Sequence, residues 1–254
     1  MRLEYLFIKQ NFLIMIQFRV NYFLSILYEF TELCITLLCY GVMFNYVESI
    51  AGWTQKQISF LAVYAYFVDV TCTMLFIGMV SIPDYIRSGT LDLFLLKPVE
   101  KQFFLTFRRP NSVQLIGFVG CVLYFVYYIS SNKVPLVNTI VFTISAFCSL
   151  CCMYSVMLII VSLSFWVVKI GDMWTLIYTF NSMGSKPIGI YPRVIRMILL
   201  SIIPSAIIIN IPVMSLHSLE REFIWLESIV TLMFIFISRW IFKRGLARYE
   251  SACG

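Results

Sequence analysis

Six apolar segments, each about long enough to cross a membrane, limit the folds open to this chain. A helix needs about 20 mostly apolar residues to span the ~30 Å hydrocarbon core of a bilayer. With 61% hydrophobic and 13% charged residues, the chain has too few polar side chains to cover a soluble domain. We therefore expect an all-α membrane protein with six transmembrane helices. The segments are Tyr22–Val47, Ser59–Val80, Ser112–Ile129, Val137–Trp166, Ile195–Leu216 and Phe223–Phe242.

The segment before the first span is expected to lie along the membrane surface. Leu3–Phe18 mixes apolar residues with charged ones such as Lys9, and no small-residue cleavage site follows it. We assign residues 1–21 to a cytoplasmic interfacial helix, residues 22–242 to the six-span domain and residues 243–254 to a cytoplasmic tail.

The distribution of Lys and Arg predicts the orientation. With a cytoplasmic N-terminus, sixteen of these residues fall on the inner side and three on the outer side, so both termini are expected in the cytoplasm. The sixteen include Lys186, Arg193 and Arg196, because the segment 167–194 is expected to be an inner loop. The net charge of +6 follows from this bias and gives no reason to invoke a nucleic-acid partner.

The inner loop 81–111 is unusually apolar for a connection through water. Pro83 suits the first turn of a helix, Gly89 suits a helix end, and Thr90 can cap a second short helix with Asp92 near its N-terminus. We therefore expect two short helices against the inner membrane face. Their apolar residues are Ile86, Leu91, Phe94, Leu95 and Leu96.

Acidic residues inside the predicted spans are candidates for function. Asp69 lies near the middle of the second span, where an unpaired charge costs about 3 kcal/mol or more. Glu29 and Glu32 lie one turn apart on one face of the first span. Two interpretations remain open: the acids pair with basic residues of this or another subunit, or the Glu pair reaches the inner interface; alternatively, the acids line a translocation path. Asn210 in the fifth span is a further candidate for that path.

The fifth predicted span contains two prolines. Each proline removes a backbone hydrogen bond and clashes with the carbonyl four residues before it, so Pro204 and Pro212 predict a kinked or broken helix. The kink either accommodates neighbouring helices or acts as a gate or hinge.

The residues needed for several kinds of chemistry are missing. His217 is the single histidine, so a histidine cluster for a metal cannot form, and no catalytic residue is assigned. The chain has no phosphate-binding loop, since Gly184-Ser-Lys186 has the wrong spacing. We expect no cofactor and no metal bound by this chain, and no enzymatic activity of its own.

Three segments of the chain resemble one known family. The segment Ile86-Arg-Ser-Gly-Thr-Leu-Asp-Leu-Phe-Leu-Leu-Lys-Pro98 is similar to the inner-loop motif of small six-span permeases of bacterial ATP-binding-cassette exporters of type 2. The segment Lys186–Pro192, running into Pro204, and the tail Gly245–Gly254 also fit, although Cys253 stands where the family more often has a small residue such as Ser.

The resemblance implies a division of labour between chains. Separate ABC ATPase subunits, expected to be two, would bind ATP and Mg, and a second permease chain, same or different, would complete the transporter. It also implies export of a drug, peptide or lipid- or glycan-like substrate across the bacterial cytoplasmic membrane. The residues expected to contact the ATPase through coupling helices are Asp84, Ile86, Arg87, Gly89, Leu91, Asp92, Leu95, Leu96 and Lys97.

Two other functions remain open from the sequence. An ion-coupled secondary transporter or channel could use the intramembrane acids, and a non-transporting scaffold or immunity protein would move nothing. The lack of an internal repeat weighs against the secondary transporter.

Overall fold

The computed structural model describes residues 19–167, 173–201, 203–217 and 223–249. These residues form α-helices joined by short turns, with one isolated antiparallel bridge between Ile50 and Trp53. The helices are α1 (Arg19–Phe44), α2 (Gln55–Val80), α3 (Ile82–Arg87), α4 (Leu91–Leu95), α5 (Lys101–Phe107), α6 (Leu115–Ser131), α7 (Leu136–Ser162), α8 (Met173–Gly184), α9 (Arg193–Ser201), α10 (Ser205–Leu216) and α11 (Phe223–Arg248). The 3₁₀ turns are Ser112–Gln114, Leu163–Phe165 and Ile188–Ile190.

Five helical segments are long and apolar enough to cross a membrane: α1, α2 with α3, α6, α7 and α11. They coincide with five of the six predicted spans, which confirms the all-α membrane fold. The predicted interfacial helix Leu3–Phe18 lies outside the described residues, as do residues 250–254 of the tail.

The centre of the bundle is formed by α2 and α10. Every residue of α10 except Met214 is buried, and α10 packs against α7, α8 and α2. A long seam between α7 and α11 extends the core. In contrast, no residue in the most apolar stretch of α1 is buried, so α1 lies at the edge of the bundle.

Side-chain contacts define the two ends of the bundle. Near the start of α2, the ring of Phe60 lies 4.6 Å from that of Tyr128 and 5.6 Å from that of Phe142, which places residues 45–54 at the end where α6 meets α7. We call this the 45–54 end. The opposite end, formed by the loop after α2, is the 81–111 end.

The helix pair α9–α10 enters and leaves the bundle at the 45–54 end. A Cβ built on Gly189, just before α9, would lie 2.8 Å from the Cβ of Ala51. After α10, the His217 Nε2 atom lies 3.0 Å from the Tyr128 hydroxyl. The pair is bent by 92°, and since both of its ends lie at the 45–54 end, we interpret it as a re-entrant element. These contacts argue against a crossing at the predicted fifth span Ile195–Leu216, which stays a prediction.

The fifth crossing is made by α8. The end of α7 lies at the 81–111 end, where Phe165 packs on Phe242 near the end of α11. Since α11 begins at the opposite end and α9–α10 does not change sides, α8 must cross between them. Residues such as Asn181 and Ser182 lower the hydropathy of α8, but packing against α2 and α10 shelters this helix. We infer from this path that α8, although too short to qualify as a span by length alone, takes the place of the predicted fifth crossing.

This topology changes the charge count. The segment 167–194 is not an inner loop throughout, and Lys186, Arg193 and Arg196 lie toward the 45–54 end. If these three residues are assigned to the outer side, the predicted count of Lys and Arg changes from sixteen inner and three outer to thirteen inner and six outer. The majority still favours a cytoplasmic 81–111 end.

The two prolines have different effects. Pro204 precedes α10 at the bend, and the amide of Ser205 bonds to the carbonyl of Ile203 at 2.7 Å, which confirms the predicted interruption. Pro212 lies inside α10 without breaking it. A role of either proline as a gate or hinge stays a prediction.

Candidate functional site

The loop at the 81–111 end contains the two predicted short helices. Pro83 occupies the first turn of α3, and Gly89, with a φ of +69°, makes the turn before α4. The predicted cap is wrong in one respect: among the described residues, Thr90 makes no side-chain hydrogen bond to α4, and its hydroxyl lies 2.8 Å from that of Ser88 instead.

This loop is fastened to the membrane helices. A Cβ on Gly78 of α2 would lie 2.8 Å from the carbonyl oxygen of Thr106, so α5 touches the end of α2 backbone to backbone. The amide of Asn111 donates to the carbonyl of Met74 at 2.9 Å. The side chain of Gln102 donates to the Tyr154 hydroxyl of α7 at 2.8 Å. Movement of the loop must therefore reach α2 and α7.

Basic residues hold the loop together from within. The Arg108 guanidinium lies 3.9 Å from the ring centroid of Phe94, and the Lys97 ammonium lies 4.6 Å from that of Phe104. Desolvation lowers the pKa of Arg108, although an arginine stays charged at neutral pH. Lys101 donates to the carbonyl of Leu95, the last residue of α4, and to that of Lys97 just beyond it, which favours the end of that helix.

The predicted ATPase-contact residues differ in exposure. Leu91 is fully buried, so it can act only through the packing of α4. Asp84, Arg87, Leu96 and Lys97 are exposed, and Arg87 pairs with Asp84. The half-buried members are Ile86, Gly89, Asp92 and Leu95. Sequence reasoning missed Leu93 and Phe103, whose exposed fractions are 63% and 60%.

A second candidate site is a cavity of about 260 Å³ between α1, α2 and α8. It contains all three predicted intramembrane acids. Its lining residues are Glu29, Glu32, Leu33, Thr36, Tyr40, Ala62, Ala65, Tyr66, Asp69, Tyr178, Asn181, Ser182, Ser185 and Lys186.

Neutral donors hold the three carboxylates. Glu29 accepts from the amide of Gln114 at 2.6 Å and from the Tyr66 hydroxyl at 3.3 Å. Glu32 accepts from the Tyr178 hydroxyl at 2.8 Å. The Asn181 amide donates to Asp69 at 3.3 Å. These bonds connect α1, α2 and α8 through polar groups.

The same hydrogen bonds show that the three acids lie at a similar depth in the bundle. Tyr66 and Asp69 lie about one turn apart on α2, and Tyr178 and Asn181 lie about one turn apart on α8, so the carboxylates sit at similar depth. Among the described residues, the ion pair joins Arg87 to Asp84 in the 81–111 loop. None of the three acids therefore pairs with a described Lys or Arg. Pairing with basic residues of another subunit and the lining of a path both stay predictions.

Asn210 is not part of this cavity. It is 1% exposed, and its amide group bonds to three backbone groups at the end of α8. It accepts from the amide of Ile188 at 2.9 Å and donates to the carbonyls of Gly184 and Lys186 at 2.9 and 3.2 Å. Asn210 therefore ties α10 to α8, and its predicted role in a path has no support from its position.

The sequence analysis overlooked a fourth acid, Glu227, in the last span. It is 1% exposed between α7 and α11, where it accepts from the hydroxyls of Ser145 and, at 2.8 Å, Ser149. The sequence signal that could have identified Glu227 is its position as an acidic residue inside the apolar run Phe223–Phe242. This acid is enclosed in the core, apart from the cavity.

We expect Glu227→Ala to destabilise the seam between α7 and α11 by about 2 kcal/mol, because it removes the acceptor of two buried hydroxyls and leaves a void. Thermal unfolding of the purified protein in detergent measures this loss. Glu227→Gln keeps an acceptor of similar shape and should lose less. Equal midpoints for the two variants would contradict a structural role for Glu227.

Comparison with known proteins agrees with this architecture. A family model described as ABC-2 family transporter protein matches residues 30–253, nearly the whole chain. No curated protein and no solved structure matches it. The matched region includes the 81–111 loop and every lining residue of the cavity except Glu29. The chain is therefore a multi-pass membrane permease that belongs to the ABC-2 family of transporter proteins.

Proposed function

We propose that this chain is the transmembrane subunit of an ATP-driven exporter, and that separate ATPase subunits, expected to be two, dock at the 81–111 end. The observation that carries the proposal is the surface of the 81–111 loop. This loop exposes the apolar side chains of Leu93, Leu96 and Phe103 and also the charged groups of Asp84 and Arg87. A loop that met only water would gain nothing from this apolar surface.

The attachment of the loop supports a mechanism of coupling. α3 follows α2 after the single residue Ser81, and α5 contacts the end of α2 at Gly78. When the ATPase subunits close on ATP and Mg, a push on α3–α5 would move α2. Because α2 carries Asp69 and Tyr66, this movement would change the cavity.

The open side of the cavity supports pairing with a second permease chain, same or different. α1 lies at the edge of the bundle, and Tyr178 on the cavity wall is 44% exposed. Polar groups such as Glu32 and Tyr178 are unfavourable against lipid tails, whereas a second chain would enclose them in a path between subunits. The substrate would move outward across a bacterial cytoplasmic membrane, with both termini of the chain in the cytoplasm.

The docking proposal is tested by purifying the transporter through a tag on this chain and measuring the recovered ATPase. We expect Leu93→Asp with Leu96→Asp to lower recovered ATP hydrolysis at least about tenfold, because two carboxylates would be buried unpaired in the contact. Leu136→Asp is the matched control, since Leu136 is 74% exposed at the opposite end.

Size-exclusion profiles confirm that both variants are folded. Full ATPase recovery with the double variant would place the contact elsewhere. Absence of an ATPase from the wild-type preparation would overturn the proposal, and transport that follows an ion gradient without ATP would favour a secondary transporter.

A further inference from the structure

We propose that the cavity between α1, α2 and α8 binds the protonated amine of an amphiphilic substrate. This substrate class rests on the proposed transport function. It follows from the charges, an unused hydrogen-bond acceptor and the apolar walls of the cavity.

The charge in the cavity is predominantly negative. Three carboxylates, those of Glu29, Glu32 and Asp69, face one ammonium group, that of Lys186. The carboxylates lie at similar depth, whereas Lys186 follows the end of α8 toward the 45–54 end. Like charges this close repel each other in a medium of low dielectric constant, and a cation placed among them relieves that repulsion.

Asn181 supplies an independent indication of a ligand. Its side chain is 7% exposed and lines the cavity. Its Nδ2 atom donates to Asp69, and among the described residues its buried Oδ1 atom has no hydrogen-bond partner. An unpaired buried acceptor costs about 1–3 kcal/mol, and an N–H donor would remove that cost.

These two features together select one kind of cation. A carboxylate beside a free carbonyl oxygen fits a protonated amine, whose N–H groups donate to both, better than a quaternary ammonium ion without N–H groups. The Asp69 carboxylate and the Asn181 carbonyl are expected to be the main acceptors.

The remaining walls fit an apolar body attached to the amine. Leu33, Ala62 and Ala65 supply aliphatic surface, and the rings of Tyr40 and Tyr66 can stack on a substrate or face its cation. The cavity is open at one side, so the body can extend beyond it.

The test measures binding to the permease alone in lipid nanodiscs, without an ATPase. The probe is dansylcadaverine, a fluorescent molecule with one primary amine on a flexible chain, and its matched control is the N-acetylated form, which lacks the charge. Fluorescence anisotropy, corrected with empty nanodiscs, gives the two affinities. We expect the amine to bind at least about tenfold more tightly, which is about 1.4 kcal/mol.

Variants locate the binding. Asp69→Asn should weaken amine binding about tenfold, and Glu32→Gln, where the residue is half-buried, about threefold. Glu227→Gln should leave it unchanged because Glu227 lies outside the cavity. If Asp69→Asn is not monodisperse, Glu32→Gln decides the result.

Equal affinity for the amine and its acetylated form would overturn the proposal, and so would unchanged binding in both cavity variants. Because the binding test contains no ATPase, that result would leave unchanged the proposal that ATPase subunits dock at the 81–111 end. Conversely, selective amine binding without a copurifying ATPase would retain the substrate class and overturn the ATP-driven mechanism.

Discussion

Replacing Gly184 with alanine is expected to prevent stable folding. An ideal Cβ at this position would lie 2.1 Å from the carbonyl oxygen and 2.6 Å from the carbonyl carbon of Ser205. Both atoms belong to the backbone at the start of α10, so no side-chain rotation can relieve the contact. We expect a cost of about 3 kcal/mol or more.

The reason for this sensitivity is the position of Gly184 at the junction of α8 and α10. Its carbonyl accepts a hydrogen bond from Asn210 at 2.9 Å, and α10 lies almost wholly within the core. Pushing α10 away from α8 would break this bond and separate α10 from the helices around it. The damage would therefore spread beyond one contact.

Thermal unfolding in detergent, followed by size-exclusion chromatography, measures the effect. Gly41→Ala in α1 and Gly120→Ala in α6 are matched controls, because no described atom lies within 4 Å of a Cβ at either site. Both should keep or slightly raise the midpoint, since alanine favours a helix by up to about 1 kcal/mol over glycine. A midpoint for Gly184→Ala equal to that of Gly41→Ala would contradict the close approach of α8 and α10.

Much of the fold could be predicted because a helix that crosses a membrane needs a minimum length and an apolar composition. Five spans followed from length and hydropathy alone, and the short helices of the 81–111 loop followed from Pro83 and Gly89. The fifth crossing could not be found this way. α8 contains Asn181 and Ser182, whose polar groups are sheltered by other helices, while the more apolar α10 returns to the end where α9 begins.

The cavity could be predicted only in part, for a similar reason. Glu29, Glu32 and Asp69 stand out because acids are costly in a membrane. Tyr178 and Asn181, the partners of Glu32 and Asp69, lie more than a hundred residues farther along the chain, and no local pattern links them to these acids. In the 81–111 loop, the sequence identified apolar residues but did not separate buried Leu91 from exposed Leu96, and it missed exposed Leu93.

The revised path of the chain predicts a specific cross-link. Ala51→Cys with Gly189→Cys should form a disulfide almost completely under mild oxidation. A Cβ on Gly189 would lie 2.8 Å from that of Ala51, and a small outward shift gives the 3.5–4.5 Å that a disulfide needs. Both residues are exposed, so this shift is easily accommodated.

Mass spectrometry of the digested protein identifies the linked peptides and separates them from products of the native cysteines. The control pair, Gly89→Cys with Gly189→Cys, should not cross-link, because Gly89 lies at the 81–111 end and Gly189 at the 45–54 end. If the segment 167–194 were an inner loop, as hydropathy predicts, residue 189 would lie at the 81–111 end and the Ala51 pair could not join. If the Ala51 pair does not cross-link, Ile195–Leu216 is again the expected fifth crossing and α8 is not. Formation of the cross-link establishes that α9–α10 starts beside the loop between the first two spans, which leaves α8 and its Asn181 facing the cavity.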